Sequence, residues 1–547
     1  MHARLPLVFV CAASMLAILV LLSLDAPRGA AQGGEVVGLT AGWRHTCAVT
    51  TAGGVKCWGN AHEGRLGNGQ DAPNQLIPVD AIALADGAFA VTAGYGHTCA
   101  LVADGGVKCW GNNFRGPLGD GTQTNRFTAV AVCANAACNG QLSGAVNIEA
   151  GDRHTCALMT GGGIKCWGSN AQGQLGDGQA CGATACLTPV DVQGLAGAAI
   201  AVSGGIWHTC AVLSTGSVQC WGTNFAGQLG NGTTNSSSVP VTAQGISDAV
   251  AVAAGGEHTC AVTKGGGVKC WGINEDGQLG APSTELCGIP QSRPCSTTPL
   301  SVAGLSGVTS IALGEDHACA VTTSGALKCW GGNSEGQLGD GQACGPVSCS
   351  TPVEPTGLGS NIIAVAAGSF HTCALLSDSK LRCMGANGSG QLGDGTGGHF
   401  DDRSTLPVAV VGLGPADSDG DTLNDGVDVD DDNDGCLDAR ELSSNAALGG
   451  RRSPKVFWDF FDTPIPTSER DRIISIGDVF RVVARFGANG NAGIDPLSPP
   501  AASGYHTAFD RSAPAPGGEP WDLNAPDGSI SAGDILFEVN QFGHSCA

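Results

Sequence analysis

Short apolar segments separated by glycine-rich turns recur along most of the chain. One unit begins "HTCAVTTAGGVKCWG" at His45, where two apolar segments flank a Gly-Gly turn. Farther along the units, a Pro-Val segment such as Pro189 to Val192 precedes an apolar segment such as Ala249 to Gly255. Runs of this length bounded by turn residues are typical of strands. Four of them in each unit are the content of one propeller blade.

The unit recurs seven times, at intervals of 50 to 59 residues. The histidine that opens each copy marks the repeat, and these residues are His45, His97, His154, His208, His258, His317 and His371. Internal repeats of this period favour a propeller, a solenoid or an array.

Every copy carries two cysteines ten residues apart: Cys47 and Cys57, Cys99 and Cys109, Cys156 and Cys166, Cys210 and Cys220, Cys260 and Cys270, Cys319 and Cys329, Cys373 and Cys383. A glycine follows the midpoint in every copy except the last, which has Ser379. A three-residue hairpin loop commonly ends in a residue of positive φ, which favours glycine. The two cysteines then lie opposite each other with Cα atoms about 4.5 to 5.5 Å apart, within the reach of a disulfide.

Other roles for these cysteines fit the pattern less well. A structural zinc site uses four ligands in short pairs, and a thioredoxin-type site uses Cys-x-x-Cys. His45 lies two residues before Cys47, as a nucleophile and its base might, but catalysis needs one such pair and the chain has seven. We therefore expect hairpin disulfides and structural histidines. The tryptophan after the second cysteine, as at Trp58, is expected in the core between blades.

The motif "HTCAVT..GGVKCWG.N..GQLGDG....P" resembles the repeat of the regulator of chromosome condensation family. That resemblance covers residues 36–413 and implies a seven-bladed β-propeller, which we place at residues 35–413. The first repeat segment, Glu35 to Gly42, resembles the strand that would follow the last one, Leu406 to Leu413. We expect the two segments to complete one blade together. Guanine-nucleotide exchange, known for intracellular members, is the least favoured function because only scaffold motifs match.

The first residues indicate export. An apolar run from Leu5 to Leu24 follows Arg4, and small residues surround Ala31. This is the layout of a signal peptide, assigned to residues 1–31, and an uncleaved anchor is the alternative. No later segment is apolar enough to span a membrane. The formal charge of −23 argues against nucleic acid as a partner. We expect a secreted or cell-surface protein of bacterial origin, in a compartment that allows disulfides.

Four further close cysteine pairs lie in the variable loops: Cys133 and Cys138, Cys181 and Cys186, Cys287 and Cys295, Cys344 and Cys349. The four insertions are expected at the same place in the repeat and hence on one face of the ring. Disulfides there would either stiffen a binding loop or protect a long loop from proteases.

Composition changes abruptly after Gly414. Eleven acids and one base lie between Asp417 and Glu441. Carboxylates at alternate positions before a turn glycine fit a calcium loop, and the run resembles thrombospondin type 3 repeats. We assign residues 414–442 to a Ca²⁺-binding linker, with a solvated acidic linker as the alternative. The candidate ligands are Asp417, Asp419, Asp421, Asp430, Asp432, Asp434, Asp438 and Glu441.

The last segment, residues 455–547, contains a duplication that looks like a dockerin repeat. "DRIISIGDVFRVVARFG" from Asp471 aligns with "DGSISAGDILFEVNQFG" from Asp527, and each predicts a loop followed by an amphipathic helix. The first loop has Arg472 in place of glycine, and we assign no calcium ligands to it. The second loop supplies as oxygen ligands Asp522, Asn524, Asp527, Ser529, Ser531 and Asp534. The two remaining cysteines, Cys436 and Cys546, are expected to pair.

Taken together, the residues predict a non-enzymatic binding protein. The propeller would bind a protein or a cell-surface glycan, as exported propeller-type β-lactamase inhibitory proteins bind a partner. The calcium-dependent tail would attach to a cohesin-like receptor. The competing class is an extracellular hydrolase acting on polysaccharide, although no carboxylate pair or nucleophile stands out in the propeller.

Overall fold

The computed structural model describes residues 35–71, 73–84, 87–179, 181, 184–288, 293–341 and 348–413. They form seven antiparallel sheets, six of four strands and one of five. The expected all-β, seven-bladed propeller is therefore confirmed. The predicted signal peptide, calcium linker and dockerin-like module lie outside the described residues. Within the described part of the chain, no helix has the length and apolarity needed to cross a membrane.

The strands of the first four blades follow one another in the chain. Blade 1 contains β1 (Val36–Ala41), β2 (His45–Thr50), β3 (Val55–Gly59) and β4 (Gln75–Asp80). Blade 2 contains β5 (Ala88–Ala93), β6 (His97–Val102), β7 (Val107–Gly111) and β8 (Arg126–Ala131). Blade 3 contains β9 (Ala145–Ala150), β10 (His154–Met159), β11 (Ile164–Ser169) and β12 (Ala185–Asp191). Blade 4 contains β13 (Ala199–Gly204), β14 (His208–Leu213), β15 (Val218–Gly222) and β16 (Ser237–Thr242).

The remaining three blades repeat this order, with one extra strand in blade 5. Blade 5 contains β17 (Ala249–Ala254), β18 (His258–Thr263), β19 (Val268–Ile273), β20 (Glu285–Cys287) and β21 (Arg293–Ser301). Blade 6 contains β22 (Val308–Leu313), β23 (His317–Thr322), β24 (Leu327–Gly332) and β25 (Ser348–Val353). Blade 7 contains β26 (Ile362–Ala367), β27 (His371–Leu376), β28 (Leu381–Ala386) and β29 (Arg403–Ala409). Two 3₁₀ turns occur at His62–Gly64 and Ala103–Gly105.

The repeated cysteines are hairpin disulfides, as the spacing predicts. Cys47 lies opposite Cys57 in the β2–β3 ladder, and the other six copies share this register. The Cα atoms of Cys47 and Cys57 are 4.1 Å apart, slightly closer than the expected range. The residue after the midpoint has positive φ in all seven copies, from 64° at Ser379 to 84° at Gly162. The turn geometry is therefore kept where glycine is absent.

The expectation that the two ends of the propeller complete one blade together is wrong. β1 pairs with β2 in blade 1, while β29 pairs with β28 in blade 7. The innermost strand directly precedes the hairpin of its own blade, so every blade is a contiguous segment of chain. The ring closes instead by packing of one sheet face on the next, with Val36, Leu39 and Trp58 in one buried cluster with Leu375 and Leu392.

One of the four insertions lies at a different place from the other three. The pairs Cys181–Cys186 and Cys287–Cys295 are bonded and lie between the third and fourth strands of their blades. Cys133–Cys138 is bonded in the connection that follows β8, between two blades. The expectation of four equivalent insertions on one face is therefore wrong. Cys344, Cys436 and Cys546 lie outside the described residues, so their pairings stay predictions.

Neighbouring blades share a repeated set of buried hydrogen bonds. Thr98 of blade 2 donates its hydroxyl to the Arg65 carbonyl of blade 1 at 2.9 Å, and Trp110 Nε1 donates to the same carbonyl at 3.0 Å. Because the threonine hydroxyl donates, its oxygen accepts from His45 Nε2 at 2.9 Å. Burial lowers the pKa of His45 well below its usual range, so this imidazole is neutral. The structural role of the histidines and the core position of the tryptophans are confirmed.

This set is incomplete between blades 5 and 6. Ala318 replaces the threonine there, and only Trp330 Nε1 donates to the Gln278 carbonyl, at 3.0 Å. His258 Nε2 is buried without a hydrogen-bond partner among the described residues. Between blades 6 and 7 the threonine is present as Thr372, but Met384 replaces the tryptophan. An unpaired buried donor destabilises a fold by about 1 to 3 kcal/mol.

Replacing Ala318 by Thr is expected to stabilise the propeller by about 1 kcal/mol, because the new hydroxyl would accept from His258 and donate to the Gln278 carbonyl. Chemical denaturation followed by tryptophan fluorescence measures this change. The reverse substitution, Thr98→Ala, should destabilise by about 1 to 3 kcal/mol because it leaves His45 unpaired. Equal or lower stability of A318T would contradict the proposed pairing.

Candidate functional site: the rim of the central opening

Seven turns surround one end of the central channel. Each joins the first strand of a blade to the second, and together they line a cavity of about 360 Å³. A glycine begins every turn because a Cβ at Gly42 would lie 2.5 Å from both the Gly94 carbonyl oxygen and the His45 ring. The next two positions of each turn vary from blade to blade, although Gly256 of blade 5 also lacks room for a Cβ. These variable positions form the rim, together with side chains from the nearby segments that lead from the third strand of a blade to its last strand.

Arginines and aromatic rings alternate over blades 1 to 3. Trp43 and Tyr95 stack with ring centroids 4.2 Å apart, and the Arg44 guanidinium lies 4.2 Å from the Trp43 ring. Arg153 lies 5.3 Å from the Tyr95 ring and 5.7 Å from the Phe114 ring. Cation–π contacts of this kind contribute about 0.5 to 1 kcal/mol each when exposed. The Arg115 guanidinium lies 5.4 Å from the Phe114 ring. We call these three arginines and three aromatic residues together the basic rim.

Carboxylates predominate on blades 5 and 6. We call this set the acidic rim, which consists of Glu257, Glu275, Asp276, Glu315 and Asp316, with Arg293 among them. Arg293 Nη1 lies 2.5 Å from Glu257 and Nη2 lies 2.8 Å from Glu275. Hydrogen bonding to Glu275 and Glu257 raises the pKa of the Arg293 guanidinium.

The disulfide-closed insertion of blade 5 positions Arg293. β20 pairs with β21 so that Cys287 lies opposite Arg293, and Cys287 is bonded to Cys295. The insertion therefore holds its guanidinium over the two glutamates. The sequence predicted the disulfide but gave no signal for the ion pairs, because Arg293 and Glu257 are distant in the repeat pattern.

Burial and mutual repulsion disfavour ionisation on the acidic rim. Partial burial, followed by the charges of Glu315, Asp276 and Glu257, raises the pKa of Asp316 to about 7. Partial burial also raises the pKa of Glu315. Across the opening, burial raises the pKa of Asp152 to about 6, with Glu315 adding to the effect and Arg153 opposing it. The carboxylates of the two sides therefore interact through the opening.

The channel interior and its opposite end differ from the rim. Glu149 lines the channel, and its burial raises the pKa of its carboxyl well above the usual range. At the far end of the inner strands, the second residue of each strand is bulged out of the ladder, as Phe89 is between Ala88 and Ala90. Phe89 is 66% exposed. This end of the channel is therefore apolar, whereas the rim at the other end is charged.

None of the predicted calcium ligands falls within the described residues, so the calcium sites stay predictions. Within the described ranges, the side chains of Asp177, Cys181 and Cys186 do lie close enough to share a metal ion. The two cysteines are joined to each other, so neither supplies the thiolate that a metal site would use. The rim itself was missed by sequence reasoning, since its residues differ from copy to copy.

Replacing Asp316 by Asn is expected to raise the thermal unfolding temperature at pH 8 and to have little effect near pH 4. Folding raises the pKa of Asp316 from 3.8 to about 7, so it favours the protonated carboxyl. That contribution to stability is present below the lower value and is lost as the pH rises through the higher one. Asn cannot ionise and avoids the loss. The exposed Asp248→Asn is the control, and equal shifts at both pH values would contradict the assignment.

Models of known families match most of the propeller. The RCC1-like domain matches residues 23–291, and the regulator of chromosome condensation (RCC1) repeat matches residues 266–321 and 324–375. A second model of the same repeat matches residues 308–337 and 362–391.

Curated relatives and solved structures agree with these models. The ultraviolet-B receptor UVR8 of Arabidopsis thaliana is 32% identical over 370 residues, which cover 66% of this chain and 79% of UVR8. The probable E3 ubiquitin-protein ligase HERC4 of Homo sapiens is 32% identical over 214 residues, 39% of this chain and 20% of HERC4. The matched region therefore spans only a fifth of HERC4.

Two solved structures share the fold. Prp20p of Saccharomyces cerevisiae superposes with a TM-score of 0.56 at 22% identity and covers 66% of this chain and 87% of Prp20p. Human WBSCR16 gives a TM-score of 0.53 at 22% identity and covers 67% of this chain and 96% of WBSCR16. With seven contiguous blades, the repeat motif in each and a relative aligned over most of its length, the chain belongs to the regulator of chromosome condensation (RCC1) repeat family.

Proposed function

We propose that the protein is an exported, non-enzymatic binding protein whose rim holds a partner protein. The observation that carries this proposal is the array of half-buried and exposed aromatic and arginine side chains around the opening. Trp207 is 45% exposed beside the same cavity, and Phe114 is 50% exposed on the basic rim. Tryptophan, tyrosine and arginine are the residues that contribute most to protein interfaces. Their mutual stacking lowers the entropy lost when a partner docks.

Protein binding is also recorded for a relative of the same fold. Prp20p is described by its binding to Gsp1p and histones, and in a second structure it is bound to Kap60. These partners belong to that protein. The present chain has a formal charge of −23, which disfavours direct contact with nucleic acid. The same charge suits a partner protein with basic groups.

Export is supported by the disulfides. Ten are formed among the described cysteines, seven of them in the hairpins. Proteins held in reducing compartments rarely keep such bonds. With the apolar run after Arg4, this favours a secreted or cell-surface location.

A hydrolase acting on polysaccharide is the second candidate. It is favoured by the raised pKa of Asp152 and Asp316 beside a cavity, since a glycosidase needs one carboxyl that stays protonated near neutral pH. The stacking of Arg44 and Tyr95 on Trp43 argues against it, because a sugar ring would need that aromatic surface. Release of reducing sugar by the wild type, absent in Asp152→Asn, would establish this activity.

The tail would provide attachment. Its acidic linker and dockerin-like repeat would bind Ca²⁺ through the carboxylates named from the sequence, and a cohesin-like receptor would then anchor the chain. This part of the proposal rests on the spacing of the ligands alone.

The rim is tested by capture from culture medium and cell-surface extract with the full chain as bait. The double variant Arg153→Ala/Trp207→Ala should lower recovery of the partner at least about tenfold, since aromatic and arginine anchors dominate interfaces. Phe89→Ala, at the other end of the inner strands, is the matched control and should capture normally. If Phe89→Ala loses the partner and the rim variant still captures it, the partner binds at the opposite end of the channel and the proposal is wrong.

Calcium binding is tested by isothermal titration of the full chain. We expect Ca²⁺ to bind with a Kd of about 10⁻⁴ to 10⁻³ M, the range of extracellular modules. Asp434→Asn and Asp527→Asn should each lower the number of ions bound by one, because each removes a carboxylate from a separate loop. If both variants bind as many Ca²⁺ ions per chain as the wild type, the predicted calcium loops are wrong and the tail is an acidic spacer.

A further inference from the structure

Opposite charges occupy opposite sides of the rim. The basic rim spans blades 1 to 3 and the acidic rim spans blades 5 and 6, with Ile206 and Trp207 of blade 4 on one flank. Ser369 of blade 7 lies on the other flank. The sides are separated by the opening of about 360 Å³, which is large enough for a few side chains and too small for a folded domain. The rim is therefore dipolar, with a positive side on blades 1 to 3 and a negative side on blades 5 and 6.

The basic rim has unused capacity for carboxylates. No carboxylate of the described chain lies within ion-pair distance of Arg44, and Arg153 pairs only with its neighbour Asp152, at 3.3 Å. Arg115 donates to the Thr184 carbonyl at 3.3 Å. A guanidinium stacked on an aromatic ring keeps its N–H edge free, and this edge matches the two oxygens of a carboxylate.

The acidic rim has unused capacity for cations. Its five carboxylates are opposed by one guanidinium, that of Arg293, which bonds only Glu257 and Glu275. Burial first, and repulsion by neighbouring acids second, raises the pKa of the Asp276 and Asp316 carboxyls. A lysine or arginine brought by a partner would relieve this repulsion.

We propose that the partner of the rim is an extended, dipolar segment of a different protein. Its carboxylates lie on the basic rim, its lysines or arginines lie on the acidic rim, and the stretch between them crosses the opening. This inference rests on the proposed function. A segment of one sign would meet repulsion on half of the rim, and like charges brought together weaken an interface strongly. The charge pattern therefore fixes the orientation of the segment.

The test uses synthetic peptides with a block of four glutamates and a block of four lysines, joined by Gly-Ser spacers of several lengths. A control peptide has the same composition with the charges alternating. The full chain should bind one spacer length at least about tenfold more tightly than the control, because two linked contacts reinforce each other. Arg44→Gln/Arg153→Gln and Asp276→Asn/Asp316→Asn should each remove most of this preference, while Asp80→Asn/Asp191→Asn on the outer strands should keep it.

Orientation is read from photo-crosslinks. A crosslinker beside the lysine block should label residues 257–316, and one beside the glutamate block should label residues 43–153. Labelling within residues 414–547, labelling of both sides by either end, or no preference over the control peptide would overturn the dipolar assignment. Loss of self-association of the chain in the rim variants would assign the rim to a second copy and would also overturn it. The proposed function fails separately, if the rim variant Arg153→Ala/Trp207→Ala still captures the natural partner.

Discussion

The fold depends on one carbonyl group per blade. In the turn after the third strand, a backbone oxygen such as that of Arg65 points into the next blade and accepts hydrogen bonds from a threonine and a tryptophan. The threonine also accepts from a histidine of the preceding blade. These groups are buried, so each must find its partner, and the partner lies in the neighbouring blade. The angle between blades is fixed by this contact more sharply than apolar packing could fix it.

The rim follows from the same contact. The histidine can reach the threonine only if nothing stands between its ring and the inner strand, and this is why Gly42 and its counterparts have no side chain. Two residues then pass over the opening before the chain enters the second strand. Their backbone groups join neighbouring turns, while most of their side chains are free to vary and are arginine, aromatic or acidic in different blades.

The scaffold could be predicted from the sequence because it is repeated. Seven copies of the cysteine pair, and a glycine at the same turn position in six, determine the hairpin register without a structure. The rim could not be predicted in this way, since Trp43 and Glu315 occupy equivalent turns and share no chemistry. Their proximity to other charged groups depends on ring closure. The prediction that the two ends share a blade was wrong because the sequence pattern does not show at which strand a blade begins. In the structure a blade begins at Val36, with the strand that precedes the cysteine hairpin.

Because each blade is one contiguous segment, the first and last blades share no strand and meet through packed side chains and hydrogen bonds, some of them to backbone groups. The contact between them, Thr46 with His371, is the same as the contacts between blades that are joined by the chain. The ring has no distinguished starting point in its packing. A gene for such a ring can exchange whole blades by recombination at the connections, and a chain rejoined end to end and opened between two other blades would contain the same buried contacts.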